Sequence, residues 1–204
     1  MNLLKTFLFI TSFCFMVSSC ETNENKFSNA ELPNIILIMS DDMGYSDISP
    51  YGGEIDTPNL SDLAKNGIKF TQFYNAARCC PTRASLLTGT YPHEAGIGHM
   101  MGNYGISQYQ GKLSYNVITI PEVLKKAGYS TIMSGKWHLT KNDLDQWPLK
   151  RGFDNFYGLI SGAANYFKSE YPGLIFEGNE KLNIDDENYY TCLLYTSDAA
   201  DDDH

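Results

Sequence analysis

Cysteine is scarce in this sequence, with five residues among 204. Cys79 and Cys80 are adjacent, Cys14 and Cys20 lie within the first twenty residues, and Cys192 lies in the last thirteen, so no framework of paired positions remains. We therefore expect no disulfide-stabilised scaffold. For the adjacent pair, the alternative to a chemical role is two small buried hydrophobic residues, because unpaired cysteine is among the most buried residue types.

The sequence also lacks an apolar run that is long enough to span a membrane comfortably. Residues 1–19 contain one charge, Lys5, and then an apolar run that ends in Val-Ser-Ser before Cys20. This layout is typical of a secretory signal, and its ending resembles a bacterial lipobox, in which the Cys becomes the first mature residue and carries the lipid. We expect a lipoprotein signal peptide over residues 1–19, then a lipidated Cys20 and flexible tether over residues 20–32. An ordinary signal peptide that is cleaved nearby is the alternative.

A lipobox has consequences for location and partners. It predicts an exported bacterial lipoprotein in the periplasm or at the cell surface, anchored in a membrane through Cys20. Signal peptidase and the lipoprotein-processing enzymes would be partners of the precursor.

Basic residues are fewer than acidic ones, 15 against 24, and the formal net charge is −9. The last thirteen residues, 192–204, contain four of the acids and no Lys or Arg. They resemble a translated sequencing-library adapter, so we expect an artefact tail there; a solvated acidic terminus is the alternative. Without this tail the acidity is mild and carries no argument about partners, and we expect no nucleic-acid partner.

Residues 33–191 have the length of one domain and show no internal repeat. The first apolar run, 34–40, is uninterrupted, as is typical of a strand buried on both faces of a parallel sheet. The alternation of strand and helix signals predicts an α/β fold with a mostly parallel central sheet flanked by helices. Sites in such sheets gather at the carboxyl ends of the strands. The predicted elements are strands over 34–40, 68–74 and 129–134, and helices from Thr57-Pro58 to Gly67, from Ala84 to Leu87, and from Thr119 to Gly128.

Two acids follow the first predicted strand directly. Asp41 and Asp42 come after residues 34–40, and paired carboxylates in this position suit a hard cation with oxygen ligands. Turn acids at the exit of a strand are the alternative. Two carboxylates are fewer than the roughly six to eight oxygens that Ca²⁺ takes, so further ligands would be needed.

The stretch around the cysteine pair, residues 75–89, reads NAARCCPTRASLLTG. Cys79 stands two places before Pro81 and four before Arg83, and this frame resembles the signature of the type I sulfatases, whose signature Cys is oxidised to formylglycine. The frame selects Cys79 and leaves Cys80 as the variable neighbour. The resemblance extends over about residues 33–191 and implies the N-terminal part of an alkaline-phosphatase-like sulfatase fold.

The resemblance also implies the chemistry of the site. A hydrated aldehyde at Cys79 offers two hydroxyls on one carbon, of which one attacks sulfur and expels the alcohol and the second drives elimination of sulfate. Asp41, Asp42 and Cys79 are implied as ligands of one divalent cation, usually calcium. A formylglycine-generating maturase is implied as a partner.

Three further residues complete the implied catalytic set. Arg83, four residues after Cys79, would lie on the same side of a helix and could hold the hydrated aldehyde by charge-assisted hydrogen bonds. The segment Gly135-Lys136-Trp137-His138 follows the third predicted strand and is similar to the family's Gly-Lys-x-His. In the family the Lys contacts the sulfate and the His contacts the formylglycine hydroxyls. A His with a pKa near neutrality suits proton transfer.

Other residues near these motifs have less defined roles. Asn165 and Tyr166 are candidates for contact with substrate, although core and surface roles are equally open. His93 and His99 are predicted to make structural hydrogen bonds, and Arg78 is interpreted as a surface charge.

We expect the whole protein to be a sulfuric ester hydrolase, arylsulfatase-like, that acts on a small-molecule or carbohydrate sulfate ester. Three alternatives stay open. They are a phosphonate or phosphate diester hydrolase of the same superfamily, a lipid-anchored sulfated-glycan binding protein without turnover, and a fragment without a function of its own.

Overall fold

The computed structural model describes residues 32–165, 167 and 174–182. The chain divides into two units, Met1–Ser40 and Asp41–His204. Within the described residues, no helix combines the length and the apolar character that crossing a bilayer requires.

Several sequence-based expectations lie outside the described residues. They are the signal peptide over 1–19, Cys20 with most of the tether, Tyr166 and the tail 192–204. They stay predictions.

The regular elements of the described chain all lie in the second unit. The helices are α1 (Pro58–Asn66), α2 (Cys79–Thr88) and α3 (Ile120–Lys126). The strands are β1 (Ile132–Lys136), β2 (Asn155–Leu159), β3 (Ile175–Glu177) and β4 (Glu180–Leu182). Short 3-10 helices cover Ser49–Tyr51, Leu144–Gln146 and Pro148–Arg151.

The four strands form one sheet in the order β1-β2-β3-β4. β1 and β2 are parallel, with Gly135 opposite Gly158, and the other two pairings are antiparallel. A Cβ on Gly158 would collide with the backbone carbonyl of Gly135, so glycine is required where these strands approach. The α/β class is confirmed, and the sheet in this part of the chain is mixed.

Local signals placed two of the helices well. α1 begins at Pro58 and ends before Gly67, as predicted, because a proline is tolerated in the first turn of a helix. The capping box of α3 is present: Thr119 Oγ1 accepts from the amide of Glu122 at 3.4 Å, and Glu122 Oε2 accepts from the amide of Thr119 at 2.7 Å. Thr57 is the N-cap residue of α1, but its hydroxyl does not cap the helix and instead accepts from the amide of Ser49.

Two of the three predicted strands are wrong. Residues 34–40 form no strand, and Ile36 and Ile38 are 83% and 82% exposed. Residues 68–74 likewise form no strand, and Phe73 is 73% exposed. A strand requires hydrogen bonds from a neighbouring strand as well as apolar side chains, and neither run has a ladder partner among the described residues. The third predicted strand exists as β1 but is shifted to Ile132–Lys136.

The start of α2 and the end of β1 meet in the hydrophobic core. Cys80 and Ala84 of α2, Trp137 and Leu139 beyond β1, and Ile97 between them are all fully buried in one cluster. Burial of a large aliphatic side chain contributes roughly 1.5–3 kcal/mol. The core therefore fixes the beginning of the helix next to the end of the strand.

Arg151 ties the 3-10 helix Pro148–Arg151 to α3. Its guanidinium is buried and donates to Glu122 Oε1 at 3.0 Å, to Gln146 Oε1 at 2.7 Å and to the backbone oxygen of Val117 at 2.7 Å. A buried arginine needs such partners, because an unpaired buried charge is costly. The segment Arg-Gly-Phe-Asp at residues 151–154 therefore begins with a residue that serves packing.

Candidate active site

The chain turns sharply just before Cys79, which is the first residue of α2. Ala77 has φ of 52° in the left-handed region, and its amide donates to Asn75 Oδ1 at 2.6 Å. A non-glycine residue in a sparsely populated region costs roughly 1–3 kcal/mol, and such residues cluster at functional sites. We predicted the helix from Ala84. It begins five residues earlier because Pro81 lies in the first turn, where a helix needs no amide donor.

Arg83 links α2 to the end of β1. Its side chain is buried, its Nη1 donates to the backbone oxygen of Lys136, and its Nη2 lies 3.5 Å from Asp41 Oδ1. Arg83 is on the second turn of α2, four residues after Cys79, so the two side chains share one side of the helix. The guanidinium thus places a positive charge on the side of α2 that carries Cys79.

Lys136 is the last residue of β1 and lies against the same carboxylate. Its Nζ donates to Asp41 Oδ2 at 2.6 Å. Burial raises the pKa of Asp41, but the hydrogen bond and charge of Lys136, with the charge of Arg83, outweigh it and hold that pKa below its usual range. Asp41 is therefore an anion held between two cations.

His138 lies two residues beyond β1 and is 8% exposed. Its φ is 53°, although its amide continues the sheet by donating to the backbone oxygen of Ile160 at 3.1 Å. Burial, followed by the charges of Lys136 and Arg83, lowers the pKa of His138 to about 4. The imidazole is therefore neutral near pH 7, so it can accept a proton from a hydroxyl.

The absence of a side chain at Gly162 leaves room for the imidazole of His138. A Cβ at position 162 would lie 2.6 Å from Nε2 and 3.0 Å from Nδ1 of the ring. Real Cβ atoms do not approach so closely, so only glycine allows this ring position. Sequence reasoning missed Gly162, because its contact with His138 depends on tertiary packing.

Four donors of sulfur or nitrogen surround the start of α2. The Sγ atoms of Cys79 and Cys80 and a ring nitrogen of His138 all lie within 4.8 Å of one another. Met100 Sδ lies 3.9 Å from Cys79 Sγ. Cys80 is fully buried, and burial followed by the neighbouring Cys79 raises the pKa of its thiol to about 12. Sequence reasoning had assigned no role to Cys80 and had not considered Met100.

Asp41 and Asp42 provide the oxygen donors of the predicted metal site. Both carboxylates are exposed, and Asp42 has φ of 54°, so it shares the left-handed backbone of Ala77 and His138. Carboxylate oxygens are what Ca²⁺ prefers, so the donor chemistry fits. Two carboxylates leave most of the roughly six to eight positions around Ca²⁺ to other donors.

The remaining predicted residues are separate from this group. Asn165 is exposed, and its Oδ1 accepts from the amide of Phe167 at 2.9 Å. Arg78 is exposed, and its Nη1 donates to His99 Nε2 at 2.7 Å. His93 contacts the ring of Tyr109 edge to face.

A cavity of about 710 Å³ adjoins His138. Its walls are apolar at Leu144, Ile160 and Phe176, and Lys141 is among its polar residues. Ligand pockets commonly have this size and this mixture of apolar walls with a few polar groups. The space beside His138 can therefore accommodate an organic group.

The chain is similar to known proteins along most of its length. A family model described as Sulfatase matches residues 33–202. An uncharacterized sulfatase of Schizosaccharomyces pombe is 45% identical over 157 residues, which are 73% of this chain and 28% of the relative. An arylsulfatase of Klebsiella aerogenes is 42% identical over 145 residues, 70% of this chain and 31% of the relative. The chain thus spans under a third of either relative.

A solved structure resembles this chain in its fold. It is that of BT4656 in complex with its substrate D-glucosamine-2-N,6-O-disulfate. The TM-score is 0.63 at 31% identity, and the match covers 82% of this chain and 30% of that one. The fold of the described part is therefore that of the N-terminal part of such proteins.

Proposed function

This chain belongs to the sulfatase family, and from that premise we propose that the whole protein hydrolyses sulfate esters. The observation that carries the proposal is the meeting of Cys79, Arg83, Lys136 and His138 at one end of β1. Two cations and a neutral imidazole beside the residue that the signature selects suit the attack of a hydroxyl on an anionic ester.

The part played by Cys79 requires its conversion to formylglycine by a maturase. The residue is partly exposed at the first position of α2, where both a modifying enzyme and a substrate could reach it. A hydrated aldehyde there would supply one hydroxyl that attacks sulfur and a second that drives release of sulfate. The positive end of the helix favours the anion in addition to Arg83.

The other residues have distinct parts in this proposal. Lys136 binds a sulfate oxygen and shares its charge with Asp41. His138, neutral near pH 7, takes a proton from a hydroxyl at position 79. Asp41 and Asp42 would hold one divalent cation, proposed to be Ca²⁺, together with the oxygens at position 79 and donors from elsewhere. Such a cation would stabilise negative charge on oxygen.

We propose a carbohydrate sulfate as the substrate. BT4656, whose structure resembles this chain, has a disulfated glucosamine as substrate. The cavity of about 710 Å³ beside His138 offers room for the sugar. Export as a lipoprotein anchored through Cys20 would bring the protein to external glycans. A Cys20→Ser variant should lose incorporation of labelled lipid and leave the membrane fraction.

The test of the proposed function is turnover by the whole protein, co-expressed with a maturase. We expect release of sulfate from nitrophenyl sulfate or a sulfated sugar, and little turnover of bis-nitrophenyl phosphate. Lys136→Met should lower the rate about 10²–10³-fold, because it removes a charge that stabilises the transition state. The matched control is Lys126→Met at an exposed position of α3. Faster turnover of the phosphodiester would reject the proposal in favour of the alternative hydrolase.

A further inference from the structure

The four sulfur and nitrogen donors around Cys79 have the spacing of a metal site. Two thiolates about 2.3 Å from one ion in a tetrahedral arrangement are roughly 3.8 Å apart. The thiols of Cys79 and Cys80 and the ring nitrogen of His138 lie within 4.8 Å of one another, and Met100 Sδ lies 3.9 Å from Cys79 Sγ. The widest separation among the two thiols and the imidazole exceeds that spacing by about 1 Å, and Met100 Sδ adjoins the group through Cys79.

The donor set is soft and buried. Thiolates and a thioether select monovalent copper over hard cations, and imidazole also suits copper. Cys80 is 0% and His138 8% exposed. The buried Nδ1 of His138 has no hydrogen-bond partner among the described residues. A buried polar atom of this kind requires an explanation, and a bound ion is one.

Charges around the cluster favour such a complex. Two thiolates with one Cu⁺ carry a net charge of about −1. Lys136 acts electrostatically on both Cys80 and His138, and Arg83 acts on His138. The cluster therefore lies in a positive environment that would stabilise the anionic complex.

We propose that the unconverted chain binds one Cu⁺ ion through Cys79, Cys80, His138 and Met100. Both thiols lose a proton to solvent when the ion binds, and no electron is transferred. Conversion of Cys79 to an aldehyde removes one thiolate, so the converted protein does not form this complex. The site differs from the proposed calcium site in its donors and in the state of Cys79.

The test uses the whole protein purified without a maturase, reduced, and titrated with Cu⁺ against a chromophoric chelator. We expect the protein to withdraw one equivalent of copper. Cys80→Ala should weaken binding at least about 10-fold, since even changes around metal ligands cost 10–100-fold. Met100→Leu should also weaken it, whereas Met101→Leu should not. Thermal unfolding of each variant checks its fold, and Met100→Leu serves if Cys80→Ala is unfolded.

Two results would overturn the proposal. One is failure of the unconverted protein to compete with the chelator. The other is unchanged affinity in both Cys80→Ala and Met100→Leu, which would identify an adventitious ion on other thiols. The titration needs no turnover, so it is independent of whether the protein hydrolyses sulfate esters.

Discussion

The site has two sides that differ in chemistry and in burial. We call Asp41 and Asp42 the oxygen side, and the group of Cys79, Cys80, Met100 and His138 the sulfur side. The side chain of Asp41 is 43% exposed and is held by ion pairs, whereas Cys80 is 0% exposed and packs in the core. The oxygen side can exchange its partners with ions from the solvent, whereas the fold fixes the geometry of the sulfur side.

In our two proposals, the chemical state of Cys79 would decide between the two sides. As a thiol it lies among soft donors. As a hydrated aldehyde it would present oxygens, which match the carboxylates of Asp41 and Asp42. Under these two proposals, conversion of that one residue would change which metal the site prefers.

The largest effect should come from the residue that both sides share. Cys79→Ala should lower sulfate ester turnover by roughly 10⁴-fold or more, because it removes the nucleophile. It should also abolish Cu⁺ binding by the unconverted protein. Cys80→Ala separates the sides, since it should weaken copper binding while turnover stays within a few-fold. Equal loss of turnover in the two variants would contradict the choice of Cys79.

Removing the charge of Asp41 tests the oxygen side. Asp41→Asn keeps the shape but removes the counter-charge of Lys136 and Arg83 and one proposed calcium ligand. We expect turnover to fall about 10²–10³-fold, with copper binding nearly unchanged. Kinetics at varied Ca²⁺ measure the first effect, and Asp56→Asn, at an exposed loop position, is the control. Wild-type kinetics in Asp41→Asn would remove it from the site.

A change in the packing against His138 tests the sulfur side without altering any of its donor residues. Gly162→Ala places a Cβ against the ring of His138, so the ring must move. Displacement by about 1 Å can cost 10²-fold in rate, and we expect kcat to fall by about that factor. Gly105→Ala, where the backbone has φ of 79° but an added Cβ meets nothing within 4 Å, controls for the replacement of a glycine away from His138. A normal kcat in Gly162→Ala would show that the position of the ring is not critical.

The smallest effect on turnover should come from the scaffold that supports both sides. Thr119→Ala removes the cap of α3 and a hydrogen bond of 2.8 Å to the backbone oxygen of Arg151. We expect the free energy of unfolding to fall by about 1 kcal/mol, with kcat unchanged. Chemical denaturation and kinetics on the same preparation measure both. A reduced kcat would mean that α3 influences the site directly.

The residues of the site could be proposed from sequence because their motifs are local. The spacing of Cys79 and Arg83 is about one helical turn, and Lys136 ends β1 with His138 two residues beyond it. The contact of Asp41 with Lys136 joins positions 95 residues apart, and only the family resemblance linked them. Gly162 and Met100 touch the site through packing between distant segments, which no local spacing records.

The fold was harder to predict from the sequence than the motifs of the site. The starts of α1 at Pro58 and of α3 at Ile120 depend on neighbouring residues, so the sequence signals were sufficient. Strands depend on partners, and the apolar runs 34–40 and 68–74 have none in the described part of the chain. The apolar composition of these two runs therefore predicted buried strands, but a strand also needs an adjacent strand to pair with.

Peptide mass spectrometry across position 79 is the most direct test of the central claim. The sample is the whole protein recovered with its maturase and shown to hydrolyse a sulfate ester. We predict an aldehyde at position 79 and an intact thiol at Cys80. An active preparation with an intact thiol at Cys79, or with the aldehyde at position 80, would contradict the account.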